Sequence, residues 1–373
     1  MEASVSQNSD LIVIGGGPAG TSAAITAARE GCRVLLLERG RFPRHKVCGE
    51  FVSAESLELL KWLLGDAEQD LLRNSILLSK SRLLLDGRSV RIPVTPPAAS
   101  IARYDLDLAL WNAAQNAGVT ALQETSVRGI EGHQPFQVQT TAGDFHGRAV
   151  INASGRWSNL SQATPSSNGA RWLGLKAHFH GETDPSVDLY FFKDGYCGVQ
   201  PVRAPNGEVL VNVCALFQTS ERTTWEDLFS RHPLLDERAQ NWTAAFSPLS
   251  TFPVTFRTPQ PVSGHVFNAG DAAGFVDPFV GDGIALALRS GNLAARHARS
   301  FLSGHSDLKP ALRLYESDYR RRLRPVYNVS SLLRKFLLLP RGVRAPFLAA
   351  CERSPRLAQY LVAATRSRHT EVA

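Results

Sequence analysis

The residues best equipped for chemistry begin near the start of the chain. Gly15, Gly17 and Gly20 form a G-x-G-x-x-G pattern between the apolar run Asp10–Gly15 and the alanine-rich stretch Ala19–Glu30. Gly15 permits a tight turn, Gly17 lets a pyrophosphate approach the backbone, and Gly20 lets a helix pack closely on a strand. The N–H groups that open such a helix point at phosphate, and Pro18 and Ala19 share that surface. Glu38 closes the next apolar run, Arg33–Glu38, and is followed by Arg39. A carboxylate there can accept hydrogen bonds from ribose hydroxyls. Strand, glycines, helix, strand and acid in this order specify a dinucleotide, without separating flavin from nicotinamide.

A second chemical segment lies far downstream. Gly270-Asp271 follows a short apolar run, and Asp277-Pro278 is followed by Gly281, Gly283 and Ile284 at the start of an alanine- and leucine-rich stretch. A helix N-terminus with closely approaching glycines stabilises negative charge on a ring set against it. Between the two segments lie Arg103-Tyr-Asp-Leu-Asp107, where the Arg fork suits phosphate or carbonyl oxygens, and Lys46-Val-Cys-Gly-Glu50. Lys46 would favour a thiolate at nearby Cys48; the alternative is a packing cysteine without chemistry.

Taken together these segments resemble the FAD superfamily of para-hydroxybenzoate hydroxylase, geranylgeranyl reductases and flavin-dependent halogenases, nearest the geranylgeranyl reductase-like branch. The resemblance implies non-covalent FAD on Gly15, Gly17, Pro18, Ala19, Gly20, Glu38, Arg39, Arg103, Asp271, Pro278, Gly281, Gly283 and Ile284, with Asp271 on the ribityl–pyrophosphate region and Pro278–Gly283 against the isoalloxazine. The Cys48-Gly-Glu50 segment resembles the reductases' Cys-Gly-Glu, which implies that Cys48 lies near the flavin, where it could donate a proton or tune the ring. Gly195–Pro201 resembles the reductases' Y-x-W-x-F-P segment. Only Tyr196 and Pro201 fit, so Tyr196 joins Cys48 and Lys46 as a catalytic candidate. The departure at Cys197, Gly198 and Gln200 leaves more room over the ring and argues against halogenation. Asn152–Gly155 with Ser158 resembles the hydroxylases' D-G-x-x-S segment, Ser154 replacing the Asp.

The elements that must position these residues follow from pattern. The first thirty or so residues after Asp10 read as a βαβ unit. Ser53–Leu64 and Asp105–Ala117 read as helices, Arg82–Val94 as a hairpin around Asp86-Gly87, and Ala149–Ala153 as a buried strand. Trp172–His180, Val187–Phe192, Tyr196–Val202 and Glu208–Phe217 read as consecutive antiparallel strands. His265–Ala269 and Gly283–Ser300 restore the strand–helix pattern. From Leu308 onward the chain reads as helix cut at Pro325, Pro340, Pro346 and Pro355. The expected fold is α/β: a doubly wound Rossmann-like FAD-binding domain (1–80, 98–165, 263–305) with an inserted antiparallel β-sheet substrate domain (hairpin 81–97 and 166–262) and a helical C-terminal tail (306–373). Phe191, Phe192, Tyr196 and Phe279 are expected to line an apolar cavity over the ring.

Composition narrows the class further. The 373 residues are 43% hydrophobic and 20% charged, which suits packed globular structure. Five scattered cysteines without C-x-x-C argue against disulfides and structural zinc. His178 and His180 share a strand face, without a visible third ligand. No apolar run is long enough to span a bilayer, and a cytoplasmic location is expected. The net charge of +7 is concentrated at the end: residues 311–373 carry thirteen Lys/Arg against four Asp/Glu. Leu332–Leu339 sits among Arg324, Arg334, Lys335 and Arg341, a composition suited to peripheral contact with an anionic membrane rather than to nucleic acid. The activity implied is reduction or dehydrogenation of a hydrophobic, isoprenoid- or polyketide-like molecule, with hydroxylation as the rival; halogenation and pure electron carriage rank lower. With no second G-x-G-x-x-G, electrons would come from transiently bound NAD(P)H or a partner.

Overall fold

The computed structural model describes residues 8–156, 160, 172–219, 223–337, 339–354 and 359–360. Ser158, Pro355 and the boundary at 165–166 lie outside the described residues. The first apolar runs form parallel strands buried on both faces. Asn8–Ile14 pairs with Val34–Leu37 on one side and with Gly143–Asn152 on the other. Val266–Asn268 extends this sheet beyond Gly143–Asn152, and Thr120–Leu122 extends it beyond Val34–Leu37. Parallel neighbours need a crossover, which helix Pro18–Arg29 supplies for the first pair. Two further strands, Val127–Gly132 and Phe136–Thr140, form a meander running into Gly143–Asn152. Their alternation of exposed polar residues with a few apolar ones is a weak signal, and the sequence reading places no strand there.

Helix Gly283–Leu302 packs across Pro18–Arg29. Ser22 Oγ donates to Leu288 O at 2.7 Å and Asn292 Nδ2 to Thr26 Oγ1 at 3.0 Å, both bonds buried. The backbones touch at Gly291, where a Cβ would lie 2.0 Å from Ala19 O. The two helices whose N-termini carry the glycine motifs are therefore locked together along their length.

The second sheet runs Trp172–His180, Val209–Gln218, Gly195–Arg203, Ser186–Phe192, Ile76–Leu85, Arg88–Ser100, Phe51–Val52. It differs from expectation in two ways. The hairpin is longer, Ile76–Leu85 with Arg88–Ser100, and it joins the inserted sheet through a parallel pairing, Tyr190 opposite Leu84. Register decides which side chains face inward. Cys214 stands opposite both Lys176 and Gly198, and Asn212 opposite both His178 and Gln200. Tyr196 stands opposite Leu216 and Phe191. One half of the inward face is thus polar and the other apolar. Phe192 falls on the opposite face, beneath Arg231, because side chains alternate along a strand; it does not line the cavity assigned to it from sequence.

The C-terminal region forms helices Leu308–Arg322, Arg324–Leu337 and Arg341–Arg353. Its first part is core rather than tail. Tyr315 donates to Asn268 O at 2.6 Å, Tyr327 to Gly274 O at 3.0 Å, and Tyr319 bonds Tyr327 at 2.9 Å. Pro325 and Pro340 stand at helix starts, but Pro346 lies inside the last helix instead of ending it. Its exposed ring forfeits one hydrogen bond, while Leu348 and Cys351 bury on the other side. No helix among the described residues is long and apolar enough to cross a membrane.

The crossing at Gly291 yields a test. Gly291→Ala should lower unfolding free energy by about 1–3 kcal/mol through overpacking, measured by urea titration, because neither backbone can retreat without breaking the two buried bonds.

Candidate active site

The two glycine segments meet in one cleft of about 740 Å³. Gly15, Gly17, Pro18, Ala19, Glu38 and Arg39 of the first segment, Asp271, Pro278, Gly281, Gly283 and Ile284 of the second, and Arg103, Lys46, Cys48 and Tyr196 all line it. Gly20 is the exception. It is buried against Gly15, whose carbonyl oxygen would stand 1.7 Å from an added Cβ, so its part is packing.

The cleft has the chemistry of an anion site. Helix Pro18–Arg29 starts from Gly17 and helix Gly283–Leu302 from Asp282, and neither N-terminus has a side-chain cap. Asp282 Oδ1 instead accepts from Ser53 Oγ at 3.0 Å. Uncapped N–H groups and the positive ends of two helices therefore open on the same space. Gly15 has φ +104°, and its Cβ would meet Ala153 O at 2.3 Å. A Cβ on Gly17 would touch only Arg103 Nη2, at 3.9 Å, and one on Gly283 would project into open space. These glycines hold a cradle that side chains would fill. Arg39, Arg44, Lys46, Arg103 and Arg156 supply cationic walls. Glu38 accepts from Gly16 N and Gly40 N at 2.8 Å and from Arg44 at 2.7 Å, and these bonds hold its carboxyl below the usual range against the opposing effect of burial. The residues fit a flavin dinucleotide: uncapped helix ends for the pyrophosphate, an ionised acid at the ribose end, glycine-lined space at the ring end.

At the centre the chain turns at Glu50, a non-glycine residue with φ +59° and a fully buried side chain. Its carboxylate accepts from Arg103 N at 2.8 Å, from Lys176 Nζ, and from His178 Nε2 at 2.8 Å. Burial alone would raise this acid, but Lys176 and His178 overcome that and bring it down to about 2. Arg103 opens helix Arg103–Asn116, whose N-cap Ala102 has no capping side chain, so Glu50 caps that helix from a distance. The Arg103 guanidinium forks onto Asp107 at 2.7 and 2.6 Å, and Cys48 lines the same cleft. His45 stacks on Phe246 at 4.1 Å and meets His178 edge-on; burial, Lys176 and His178 push it down to about 4, so it is neutral at pH 7. His45, Glu50 and His178 bring three ligand-type atoms within 4.8 Å of one another, but Lys176 already holds Glu50 as its counter-charge. His180, paired with His178 in the sequence reading, is instead exposed and bonded to Glu208 at 2.8 Å. Ser154 donates to Asn152 Oδ1, which ties it to the strand end rather than to the cleft's charge.

Beside the cleft lies a smaller apolar cavity of about 200 Å³. Phe191, Tyr196 and Phe279 line it with Leu83, Val90 and Ile92 of the hairpin and Leu333, Phe336, Leu337 and Leu348 of the C-terminal helices. Gly49, Phe51, Tyr196, Cys214, Pro278 and Gly281 line both spaces, so cleft and cavity share a wall. Burial pushes the Tyr196 hydroxyl well above its ordinary range and the Cys214 thiol up to about 12, so both stay protonated. The Tyr196 hydroxyl has no hydrogen-bond partner among the described residues. Glu50, Lys176, Cys214 and the C-terminal cavity wall were not singled out as site residues in sequence. The glutamate beside Cys48-Gly49 was visible, but its partners lie more than fifty residues away.

Comparison with known proteins agrees with this geometry. The family model described as FAD binding domain matches residues 8–328. The chain is 28% identical to the menaquinone reductase of Mycobacterium tuberculosis, over 91% of this chain and 86% of the relative. It is 25% identical to the flavin-dependent halogenase armH1 of Armillaria mellea, over 92% of this chain and 73% of that protein. Among solved structures, flavin-dependent brominase Bmp2 superposes with a TM-score of 0.79 at 20% identity, covering 96% of this chain and 93% of that one.

Glu50→Gln should cost about 3 kcal/mol at neutral pH, since it leaves Lys176 buried without its counter-charge. The Glu50 pKa is depressed in the fold, so its contribution is present above the ordinary value of 4.5 and is lost as pH falls towards about 2. Urea titrations at a series of pH values should show the wild-type advantage over the variant shrinking across that window.

Proposed function

The chain belongs to the FAD-binding-domain family of flavin-dependent oxidoreductases, and on that premise we propose that it is a reductase of a hydrophobic small molecule, with a polyprenyl quinone or comparable isoprenoid as the favoured substrate class. The observation that carries this reading is the wall shared by the cofactor cleft and the apolar cavity. A molecule in the cavity reaches the cleft only past glycines, Phe51, Tyr196, Cys214 and Pro278, at the end where the resemblance puts the ring. FAD held in the cleft would supply the hydride chemistry for a substrate in the cavity.

The chain's own residues orient and protect that transfer. The uncapped helix ends hold phosphate, Arg103 is fixed by Asp107, and the hydrocarbon lining keeps water from the reacting atoms. Reduction of a double bond takes a hydride on one carbon and a proton on the other. Tyr196, protonated and without a protein partner among the described residues, is placed to give that proton; Cys48 lines the cleft together with Arg103 and Lys46. The mycobacterial relative is named for menaquinone, a hydrophobic quinone, which supports the substrate class. Halogenation is disfavoured because no lysine lines the cavity among the described residues, and Gly198 and Gln200 stand where the halogenases' segment carries bulk. NAD(P)H, bound transiently, is the electron source this reading favours.

The test is anaerobic. Photoreduced protein mixed with menaquinone should be reoxidised, yielding a product whose isoprenoid chain, located by tandem mass spectrometry, is two hydrogens heavier. Product that forms only in air and carries added oxygen would overturn the reductase in favour of the hydroxylase. Tyr196→Phe should retain FAD but lower turnover about 10²-fold, the scale of a lost proton donor.

A further inference from the structure

The apolar cavity is walled on one side by the last two helices. Leu333, Phe336 and Leu337 of Arg324–Leu337, and Phe347, Leu348 and Cys351 of Arg341–Arg353, face the hairpin across it. The pair is pinned to the hairpin at polar points. Arg344 forks onto Asp86 at 2.7 and 2.8 Å, Arg341 Nη2 donates to Asp86 O at 3.2 Å, and Arg88 pairs with Glu352 at 2.7 Å. Asp86 sits at the hairpin turn with φ +57°. A substrate entering from this side must part the helices from the hairpin, breaking the exposed Arg88–Glu352 pair, which costs little, and the better-sheltered Arg344–Asp86 fork, which is the stronger hold.

The outer faces of the same helices have the opposite character. On Arg324–Leu337 the exposed positions Arg324, Asn328, Leu332 and Lys335 recur at helical spacing, and on Arg341–Arg353 so do Val343, Pro346, Ala350 and Arg353. Leu332 is 66% exposed and Val343 60%. Leu339, between the helices, is also exposed. Arg324 and Lys335 have no ion-pair partner among the described residues. Arg334, counted with them in sequence, instead turns inward over the Phe256 ring at 4.0 Å. Exposed large apolar side chains set among unpaired cations suit a surface that is negative outside and hydrocarbon beneath.

We propose that the two C-terminal helices are a docking lid: they seat on an anionic lipid bilayer, and there they part from the hairpin to pass a lipid-borne substrate into the cavity. This rests on the reading that the cavity takes a hydrophobic substrate, and it adds where that substrate comes from. The basic excess of residues 311–373 provides the attraction, Leu332, Leu339 and Val343 the insertion, and the Asp86–Arg344 fork the latch.

FAD-loaded full-length protein is floated with vesicles of phosphatidylcholine alone or with about a third phosphatidylglycerol. It should float with the anionic vesicles only, less so at high salt, and the L332E/K335E/V343E variant should bind about tenfold more weakly. Equal binding to both vesicle types, or binding unmoved by the variant, overturns the docking. Cys351, buried in the cavity wall, reports the lid: its maleimide labelling, located by mass spectrometry, should quicken about tenfold on anionic vesicles, and in solution in Arg344→Ala. A vesicle-bound protein that keeps Cys351 protected overturns the opening, and unchanged labelling of Arg344→Ala overturns the latch. None of these readouts needs turnover. Docking without menaquinone reduction would therefore condemn the substrate reading alone, and reduction of detergent-dispersed menaquinone without docking would condemn the lid alone.

Discussion

A carboxylate buried without water is tolerable only when its charge is answered at close range, and the molecule is organised around one such answer. Glu50 draws Lys176 and His178 from the inserted sheet and the first free N–H of helix Arg103–Asn116 onto a single side chain. Removing any of them leaves a charge or a dipole stranded in low dielectric. The left-handed backbone at Glu50 points the carboxylate at these donors and at the same time carries Cys48 and Gly49 along the wall of the cleft. The roof sheet, the arginine helix and the cysteine loop are three separate stretches of chain, and this cluster gives them one common origin.

Around that centre the fold gathers two kinds of space. The cleft is built from backbone: uncapped helix N-termini, glycines whose Cβ positions are empty or forbidden, and cations at the rim. The apolar cavity is built from side chains of the hairpin, the roof and the C-terminal helices. They meet where the roof's polar half gives way to its apolar half, between Cys214 and Tyr196. Strand register produces that boundary. A slip of one residue in Gly195–Arg203 would turn Tyr196, Gly198 and Gln200 away and present Cys197, Val199 and Pro201 instead.

The helix pair whose uncapped N-termini open on the cleft and the helix pair that walls the cavity are held by different forces. Gly291 against Ala19 is backbone contact with buried hydrogen bonds on either side, so the cleft is rigid. The C-terminal pair meets the hairpin through apolar contacts around a cavity, through the sheltered Arg344–Asp86 fork and through the exposed Arg88–Glu352 pair.

Local chemistry made much of this legible in the sequence. The βαβ unit, Glu38, Arg103 at a helix start, and the glycines near 281 are short-range patterns whose physical demands are met by neighbouring residues. Even the strands at Trp172–His180 and Glu208–Phe217 were readable, and the structure has them at Trp172–His180 and Val209–Gln218. The tertiary structure alone decided the rest. Glu50 finds Lys176 and His178 more than a hundred residues on, and no local rule names the partner of a buried acid. His178 parted from His180 because burial ends before the last residue of that strand, and Phe192 left the cavity because register, not composition, sets its face. The hairpin's junction with Ser186–Phe192 is parallel and non-local, so turn residues could not announce it. The cavity itself, walled by segments near residues 83, 191, 279 and 348, exists only where distant chain folds together. A sequence states which groups can do chemistry nearby; which groups share a space is a property of the packed chain.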